Sequence, residues 1–407
     1  MKILFLTENF PPEVNAIASR VHERAVYWVR DGHSVTVISS FPNFPQGKLY
    51  PGYRQKLWQV EYKDGIRVVR VPTFIARNQG VALRTLDFLS FMLSSAIVSI
   101  FVARPDVVVA TSPQFFCAVG GWFASLVKRR PFVLEIADLW PASITAVGAL
   151  RPGRLIRLME RLELFLYRRS AAVVALTRAF KRNLVRRGVG SEKVYVIRNG
   201  VDLQRFGPRA KDVTLAKQLG LDSKFVVGYL GTHGMAHDLE SVLAAARRLA
   251  NVPEVFFLFV GAGAAKSALL ARTAADEISN VVFVDPQPKE AMPSYWSLCD
   301  VALVHLKNEP TFAEVIPSKI FEAMGMGIPI LLVSPAGEAS EIVEQEQCGA
   351  WVPAGNPIAL AERIRALVSG RDALDGFRKR CLQSAPNHTR QVQASSFIEV
   401  LRVVTQS

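Results

Sequence analysis

Two carboxylates eight positions apart, Glu314 and Glu322, enclose Pro317-Ser318-Lys319 in the stretch of this chain with the clearest chemistry. Pro and Ser are helix-starting types, so the turn at 317–318 presents backbone N–H groups without helical partners, and Lys319 adds a cation beside them. That combination suits a diphosphate. Glu322 falls one turn inside the helix and Glu314 in the loop before it, which makes both carboxylates acceptors for hydroxyl groups. A second anion cradle is Gly228-Tyr-Leu-Gly231-Thr232-His233-Gly234, whose glycines let backbone N–H groups approach a phosphate ahead of a helix near Asp238. Glycines at such a turn also serve packing alone, and that reading stays open, more so for Gly261-Ala-Gly263.

These residues need elements to hold them, and the hydropathy pattern supplies two series. Apolar runs at 3–6, 34–39, 67–71, 107–110, 132–136, 172–176 and 194–197 read as strands, alternating with helical patterns such as 19–30, 154–168 and 177–187. After a polar seam from Asn199-Gly200-Val201-Asp202 to Gly220 the rhythm restarts. Strands are expected at 225–230, 255–260, 281–284, 301–305 and 330–333, with helices at 239–249, 292–298, 319–326 and 359–368. A β-α-β rhythm stated twice predicts an α/β protein of two doubly wound parallel sheets with helices on both faces. Ligands gather at the carboxyl ends of such strands, and two domains facing each other would enclose one deep cleft.

A length of 407 residues, 50% apolar and 21% charged, excludes disorder and exceeds one ordinary core. The net charge of +14 and a pI near 9.8 point to a phosphate compound, a polyanion or an anionic membrane as partner. The excess is confined to one half: residues 1–205 hold 30 basic and 14 acidic side chains, and the remainder 19 and 21. Cys117, Cys299, Cys348 and Cys381 form no C-x-x-C pair and have no neighbouring His, so they read as reduced core thiols of a cytosolic protein, and no metal site is expected. The apolar run at 3–6 is cut by Thr7-Glu8-Asn9 and Pro11-Pro12, too short for an export signal and read as a first strand.

Residues 88–103 carry no charge, and as a helix would span ~24 Å against a hydrocarbon core of ~30 Å. Ser90, Ser94, Ser95 and Ser99 place a weakly polar stripe along it; a buried core helix, an interfacial helix and a true span all remain open. Residues 154–168 predict a basic amphipathic helix, with Arg154, Arg157, Arg161 and Arg168 on one face and Leu155, Leu158, Met159, Leu162 and Leu166 on the other. In the loop 41–58, Phe44, Tyr50, Tyr53 and Trp58 interleave with Lys48, Arg54 and Lys56, a mixture suited to a lipid interface. Nucleic acid is not expected as a partner, because no nucleic-acid fold motif appears.

The pattern Glu314-x7-Glu322 resembles that of the retaining GT-B glycosyltransferases of family four. Matches run nearly the whole length: Asn9-Phe10-Pro11-Pro12, Asp31-Gly32-His33, Asn199-Gly200-Val201-Asp202 with Phe206, the Gly231 loop, Cys299-Asp300-Val301-Ala302, and Gly325 to Pro329. The resemblance implies two Rossmann-like domains facing a central cleft: an acceptor-side domain of residues 1–205 plus 384–407, and a nucleotide-sugar donor domain of residues 206–383. It implies that a UDP-sugar is a substrate, with no cofactor and no bound metal. Glu322 would hold the donor ribose hydroxyls and Glu314 the transferred sugar. Ser318, Lys319 and the backbone at Gly231, Thr232, His233 and Gly234 would bind the diphosphate, and the loop carrying Asp285 and Gln287 would receive the base.

Thr232 and His237 stand where many relatives carry an Arg and a Lys, so cations for the pyrophosphate are missing from this loop. On the acceptor side Asn15, Ser19 and Arg20 lie in the segment that replaces the usual glycine pair; Arg20 is expected to supply charge across the cleft, Lys319 being the other candidate. Glu135-Ile-Ala-Asp138-Leu-Trp140-Pro141-Ala-Ser143 stands where many relatives place a catalytic-side His. With the Pro42 to Lys48 segment and Pro317-Ser318-Lys319, it resembles the bacterial O-antigen and capsule branch that includes N-acetyl-L-fucosamine transferases. Asp138 is then expected to orient or deprotonate the acceptor hydroxyl, set against a plain helix-capping role. The resulting expectation is a cytoplasmic enzyme, peripheral on the inner face of the cell membrane, that meets a lipid-linked saccharide acceptor on an anionic surface. A UDP-N-acetylglucosamine 2-epimerase-like enzyme and a catalytically silent binding subunit are the two other readings.

Overall fold

The computed structural model describes residues 1–44, 46–75, 81–112, 115–139 and 153–406. They form two compact units, Met1–Arg198 with Arg390–Ser407, and Asn199–Thr389. In the first unit the strands are β1 (Lys2–Leu6), β2 (Ser34–Ser40), β3 (Gln59–Lys63), β4 (Ile66–Val71), β5 (Val107–Thr111), β6 (Phe132–Ile136), β7 (Ala172–Ala175) and β8 (Val194–Val196). They lie in the order β3-β4-β2-β1-β5-β6-β7-β8. Seven run parallel; β3, absent from the expected strands, pairs antiparallel with β4. The turn between them, Asp64-Gly65, has positive φ at both residues (51° and 79°), the handedness that matches the twist of a hairpin.

The buried strands are nearly continuous apolar runs because both sheet faces are covered. Helices α1 (Ala16–Arg30), α2 (Val81–Phe101), α3 (Phe115–Lys128), α4 (Arg154–Arg169) and α5 (Arg178–Arg186) supply the cover. One face packs Leu4, Leu6, Val108 and Leu134 against Phe91, Cys117, Leu166 and Phe180; the other packs Phe5, Val37 and Val109 against Val21 and Trp28. On α4 the buried positions are Ile156, Glu163, Leu166 and Tyr167, and Leu158 is exposed, so the apolar face differs from the one expected. On α2 the polar stripe runs along the inner side, Ser95 and Ser99 being buried and Ser90 and Ser94 half-buried.

The second unit continues with α6 (Val213–Gln218), β9 (Phe225–Leu230), α7 (Leu239–Arg248), β10 (Val255–Val260), α8 (Lys266–Ala275), β11 (Val281–Val284), α9 (Met292–Ser297) and β12 (Val301–His305). It ends with α10 (Lys319–Met326), β13 (Ile330–Ser334), α11 (Glu338–Gln345), β14 (Gly349–Pro353), α12 (Pro357–Ser369) and α13 (Arg371–Ser384). Its sheet is parallel, in the order β11-β10-β9-β12-β13-β14. Helix α14 (Arg390–Gln406) returns to the first unit, where the Trp28 indole N–H donates to the Ala394 carbonyl at 3.0 Å and Arg390 meets Glu23 at 2.9 Å. The unit boundaries fall at 198/199 and 389/390 rather than at 205/206 and 383/384. Val201, Phe206, Cys381 and Ala385 are all buried in the second unit's core beside Ile320 and Met324.

Candidate active site

Strand order reverses in the second unit between β9 and β12, and a ligand crevice is expected beyond the carboxyl ends of strands at such a point. Two loops and one helix start converge there. The Gly231 loop leaves β9; its Gly231 N–H donates to the Val260 carbonyl at 2.8 Å and its His233 N–H to the Ala262 carbonyl at 2.8 Å. A Cβ at Gly261 would lie 2.0 Å from the Gly231 oxygen, and one at Gly263 2.3 Å from the His233 oxygen. The Gly261-Ala-Gly263 turn is therefore glycine-rich because the first loop is stacked on it. Since Gly231 and His233 spend their N–H groups on Val260 and Ala262, neither amide is a diphosphate donor, which corrects two expectations. The Tyr229 hydroxyl fixes the loop from below by donating to the Thr232 carbonyl at 2.7 Å.

Lys319, the first residue of α10, reaches this loop. Its ammonium sits 3.5 Å from the centroid of the Tyr229 ring, and a Cβ at Gly231 (φ +136°) would lie 2.6 Å from its Cε and 3.0 Å from its Nζ. Burial of the ammonium lowers its pKa to about 7, with the Glu322 carboxylate opposing that shift. Three histidines surround the same aromatic floor. His237 and His305 face each other's carbonyls (3.2 and 2.8 Å), and the buried His233 ring has no hydrogen-bond partner on either nitrogen. Burial, reinforced by the charge of Lys319, holds all three near pKa 4, so they are neutral. The site therefore presents one poised lysine among neutral imidazoles.

Glu322 lies half-buried, one turn along α10, with the Trp296 indole N–H 3.4 Å from its Oε2. Glu314 ends the 3-10 turn Pro310–Glu314, also half-buried, and the Ser318 hydroxyl makes no cap bond to α10. Asp285 is exposed and paired with Lys266 at 2.6 Å, and the Gln287 amide donates to the Asp285 carbonyl at 3.1 Å. Lys266 also donates to the Gly261 carbonyl at 3.0 Å, which ties the expected base loop to the glycine turns. Tyr229, Lys266 and His305 were not singled out from the sequence; the position of Tyr229 inside the glycine motif was the available signal. Asp300 has a structural role, its carboxylate accepting from the Val226 N–H at 2.9 Å.

In the first unit the expected acceptor-side residues are engaged within the fold. Asn15 caps α1, accepting from the Ala18 N–H at 2.9 Å, and Ser19 lies in the first turn of that helix. Arg20 is buried with its Nε 3.4 Å from Glu135, which also takes a bidentate pair from Arg24 at 2.7 and 2.9 Å. Burial would raise the Glu135 carboxyl, but Arg24 and Arg20 overcome it and hold it at about 2. The Arg20 charge is thus spent inside its own unit rather than supplied elsewhere. Asp138 is half-buried on a small cavity with Ser112, Phe115, Glu163 and Tyr167, and its carbonyl accepts from the Ser112 hydroxyl at 3.4 Å. Trp140, Pro141 and Ser143 of that motif, and Pro45 of the Pro42 segment, lie outside the described residues. A carboxyl pair not anticipated from sequence, Glu8 just beyond β1 and Asp87 on α2, is desolvated, which raises both; the hydrogen bond between them raises Glu8 further and lowers Asp87, which stands at about 6. Among the described residues no group of three or more His, Cys, Asp or Glu side chains is placed to hold a metal ion.

Comparison with known proteins bears on the fold and the family. Residues 15–200 match the glycosyl transferase 4-like domain and residues 213–388 match glycosyl transferases group 1. The chain is a glycosyltransferase of GT-B fold, built from GT4-type domains. It is 28% identical over 384 residues to WcaI of Escherichia coli (strain K12), named for colanic acid biosynthesis, covering 92% of each chain. It is 25% identical over 385 residues, again 92% of each, to a GDP-mannose-dependent alpha-mannosyltransferase of Mycobacterium tuberculosis. Among solved structures, HepE of Anabaena in complex with UDP-glucose aligns over 99% of this chain and 100% of that one, with TM-score 0.75 and 21% identity. Sucrose-phosphate synthase of Thermosynechococcus elongatus aligns over 98% of both, with TM-score 0.77 and 17% identity. These structures share the fold.

Proposed function

We propose that the protein is a retaining transferase that moves an N-acetylated amino or deoxyamino sugar, with N-acetyl-L-fucosamine the leading candidate, from a UDP-sugar to a polyprenyl-diphosphate-linked glycan. The reaction belongs to O-antigen, capsule or exopolysaccharide synthesis at the cytoplasmic face of the membrane. The observation that carries the donor half is the Lys319 ammonium pressed against Gly231 over Tyr229, a desolvated cation whose charge Glu322 on the same helix favours. Relatives named for colanic acid and amylovoran biosynthesis support the polysaccharide class.

In this reading the bond from the anomeric carbon to the β-phosphate oxygen breaks, and Lys319 with the start of α10 stabilises the departing diphosphate. Glu322 accepts from the ribose hydroxyls and Glu314 from the sugar. The acceptor hydroxyl, oriented by Asp138, attacks from the same face and passes its proton to the departing phosphate oxygen. A GDP-mannose donor is the second reading, supported by two mycobacterial relatives named for that donor at 25% and 24% identity. Incubating the purified protein with a panel of UDP-sugars, GDP-mannose and a lipid-linked acceptor separates the possibilities. Transfer from a UDP-sugar upholds the proposal; transfer from GDP-mannose alone, epimerised sugar, or binding without turnover replaces it. An Asp138→Asn variant with an unchanged transfer rate removes Asp138 from the mechanism.

A further inference from the structure

A helix on the surface of a soluble domain turns its polar residues outward, and α2 does the reverse. Leu83, Leu86, Leu93, Ile97 and Ile100 recur at helical spacings of three and four, with Ser90 at the intervening step, and each of the five is between 45% and 57% exposed. Phe101 at the end is 69% exposed. The small polar residues face inward: Ser95 and Ser99 are buried and return their hydroxyls to the Met92 and Ala96 carbonyls at 3.1 and 2.6 Å. Helix α3 repeats the inversion. Gly120, Gly121, Ala124 and Ser125 are buried, while Phe123, Leu126 and Val127 are exposed. Small residues between helices and large apolar ones outside is the distribution of helices that meet lipid.

The two helices lie side by side: a Cβ at Gly120 would be 2.9 Å from the Ser95 hydroxyl, and the Lys128 ammonium donates to the Ile100 and Val102 carbonyls at 2.8 and 2.6 Å. Their outward residues therefore form one surface. At its carboxyl-terminal end stand Trp58, stacked on Phe101 with ring centroids 5.8 Å apart, the neighbouring exposed Leu57, and the exposed cations Arg104 and Arg129, while the exposed Arg54 and Lys56 precede Trp58 in the chain and flank Gln55, which bonds to the Thr73 carbonyl. Trp and basic side chains beside an apolar face match the level of lipid headgroups.

We infer that the outer face of α2 and α3 docks the first unit onto an anionic bilayer, with both helices lying in the interface plane. The inference rests on the reading of a lipid-linked acceptor, for which it names the surface. Residues Leu83–Phe101 are long and apolar enough to cross a membrane, but Phe91 and Val98 belong to the same core as Leu6, Ile38 and Val71, so the helix lies on the bilayer instead of spanning it. A protein partner would demand about one hydrogen bond per ~100–200 Å². The stripe's polar side chain, Ser90, is already bonded to the Phe74 N–H and the Asp87 carbonyl, both at 2.7 Å. Fluid acyl chains make no such demand.

The test is flotation of the full-length protein with vesicles of phosphatidylcholine and phosphatidylglycerol at low and high salt. The wild type should float. Leu93→Glu combined with Ile97→Glu should lower the bound fraction at least about tenfold while leaving the melting temperature and UDP binding unchanged. Lys56→Glu with Arg104→Glu should weaken binding to anionic vesicles at low salt only. A wild type that ignores the vesicles, undiminished flotation of the glutamate variant, or a wild-type dimer that the variant converts to monomer would each overturn the docking face. Transfer to detergent-solubilised lipid-linked acceptor is measured in parallel. Activity there without flotation sinks the docking surface alone, and flotation without transfer to any lipid-linked acceptor sinks the acceptor reading alone.

Discussion

Replacing Lys319 by Met keeps the aliphatic stem that lies against Gly231 and removes the ammonium above Tyr229. In the free protein burial brings that ammonium to a pKa of about 7, and His233, His237 and His305, near 4, contribute no proton change above neutrality. A diphosphate beside Nζ favours the charged lysine, so binding must draw in a proton. At pH 8 roughly nine-tenths of the free protein carries a neutral Lys319, and a UDP-sugar should take up close to one proton as it binds. Its affinity should fall about tenfold per pH unit above ~7 until the pKa of the complex is reached. In Lys319→Met the slope disappears and the affinity at pH 7 drops by about 10- to 150-fold, the worth of a charge-assisted hydrogen bond of ~1.5–3 kcal/mol. Stability moves oppositely. The unfolded lysine titrates near ~10.4 and so holds a proton that the folded one gives up, which makes stability rise with pH from about 7 to ~10.4 and leaves the full penalty in place below 7. The Met variant should therefore melt higher, most clearly at and below neutral pH. Calorimetry of binding in two buffers of different ionisation enthalpy reads the proton uptake directly. No uptake at pH 8, or a variant with the wild-type affinity and pH slope, would refute the reasoning.

Gly231→Ala places a Cβ 2.6 Å from the Lys319 Cε at a φ of +136°, so donor binding should weaken at least about tenfold by titration while the fold persists, at a strain of ~1–2 kcal/mol. Arg24→Met leaves the buried Glu135 with Arg20 alone and should cost the first unit up to about 3–5 kcal/mol in denaturant unfolding. Because Glu135 is held at about 2, its contribution should be complete above the ordinary glutamate value of ~4.3 and be lost as pH falls toward 2. Deleting residues 390–407 removes the buried Phe397, Ile398 and Leu401, each worth ~1.5–3 kcal/mol against a total of ~5–15, and should leave the first unit unfolded by circular dichroism and proteolysis.

The double β-α-β rhythm was legible because parallel strands covered on both faces are continuous apolar runs; β9, β10, β11 and β12 begin and end where hydropathy changes. β3 escaped because an edge strand alternates polar and apolar, and only the Asp64-Gly65 turn marks it. β14, Gly349–Pro353, escaped because a glycine and a proline bound it. In the candidate site, Lys319 and the Gly231 loop were visible as types and spacing, whereas their meeting over Tyr229 depends on how α10 is placed beside β9. Arg20 misled for a physical reason. Helical spacing puts it near the inner face of α1, but an arginine is assumed to be solvated unless its partner is known, and Glu135 lies 115 residues away in an apolar strand. The facing of the α2 serines was not legible from spacing alone, because their hydroxyls are satisfied by their own helix and leave the outside to leucine and isoleucine.

In the proposed reaction sugar leaves a UDP donor at the site formed by the Gly231 loop, Lys319 and Glu322. The most direct test follows label from a UDP-[14C]sugar panel into lipid-linked glycan for the wild type and Glu322→Ala. Labelled glycan of retained anomeric configuration should form with the wild type and none with the variant, both proteins melting alike. Robust transfer by Glu322→Ala, or wild-type transfer from GDP-mannose and from no UDP-sugar, would contradict the proposed reaction.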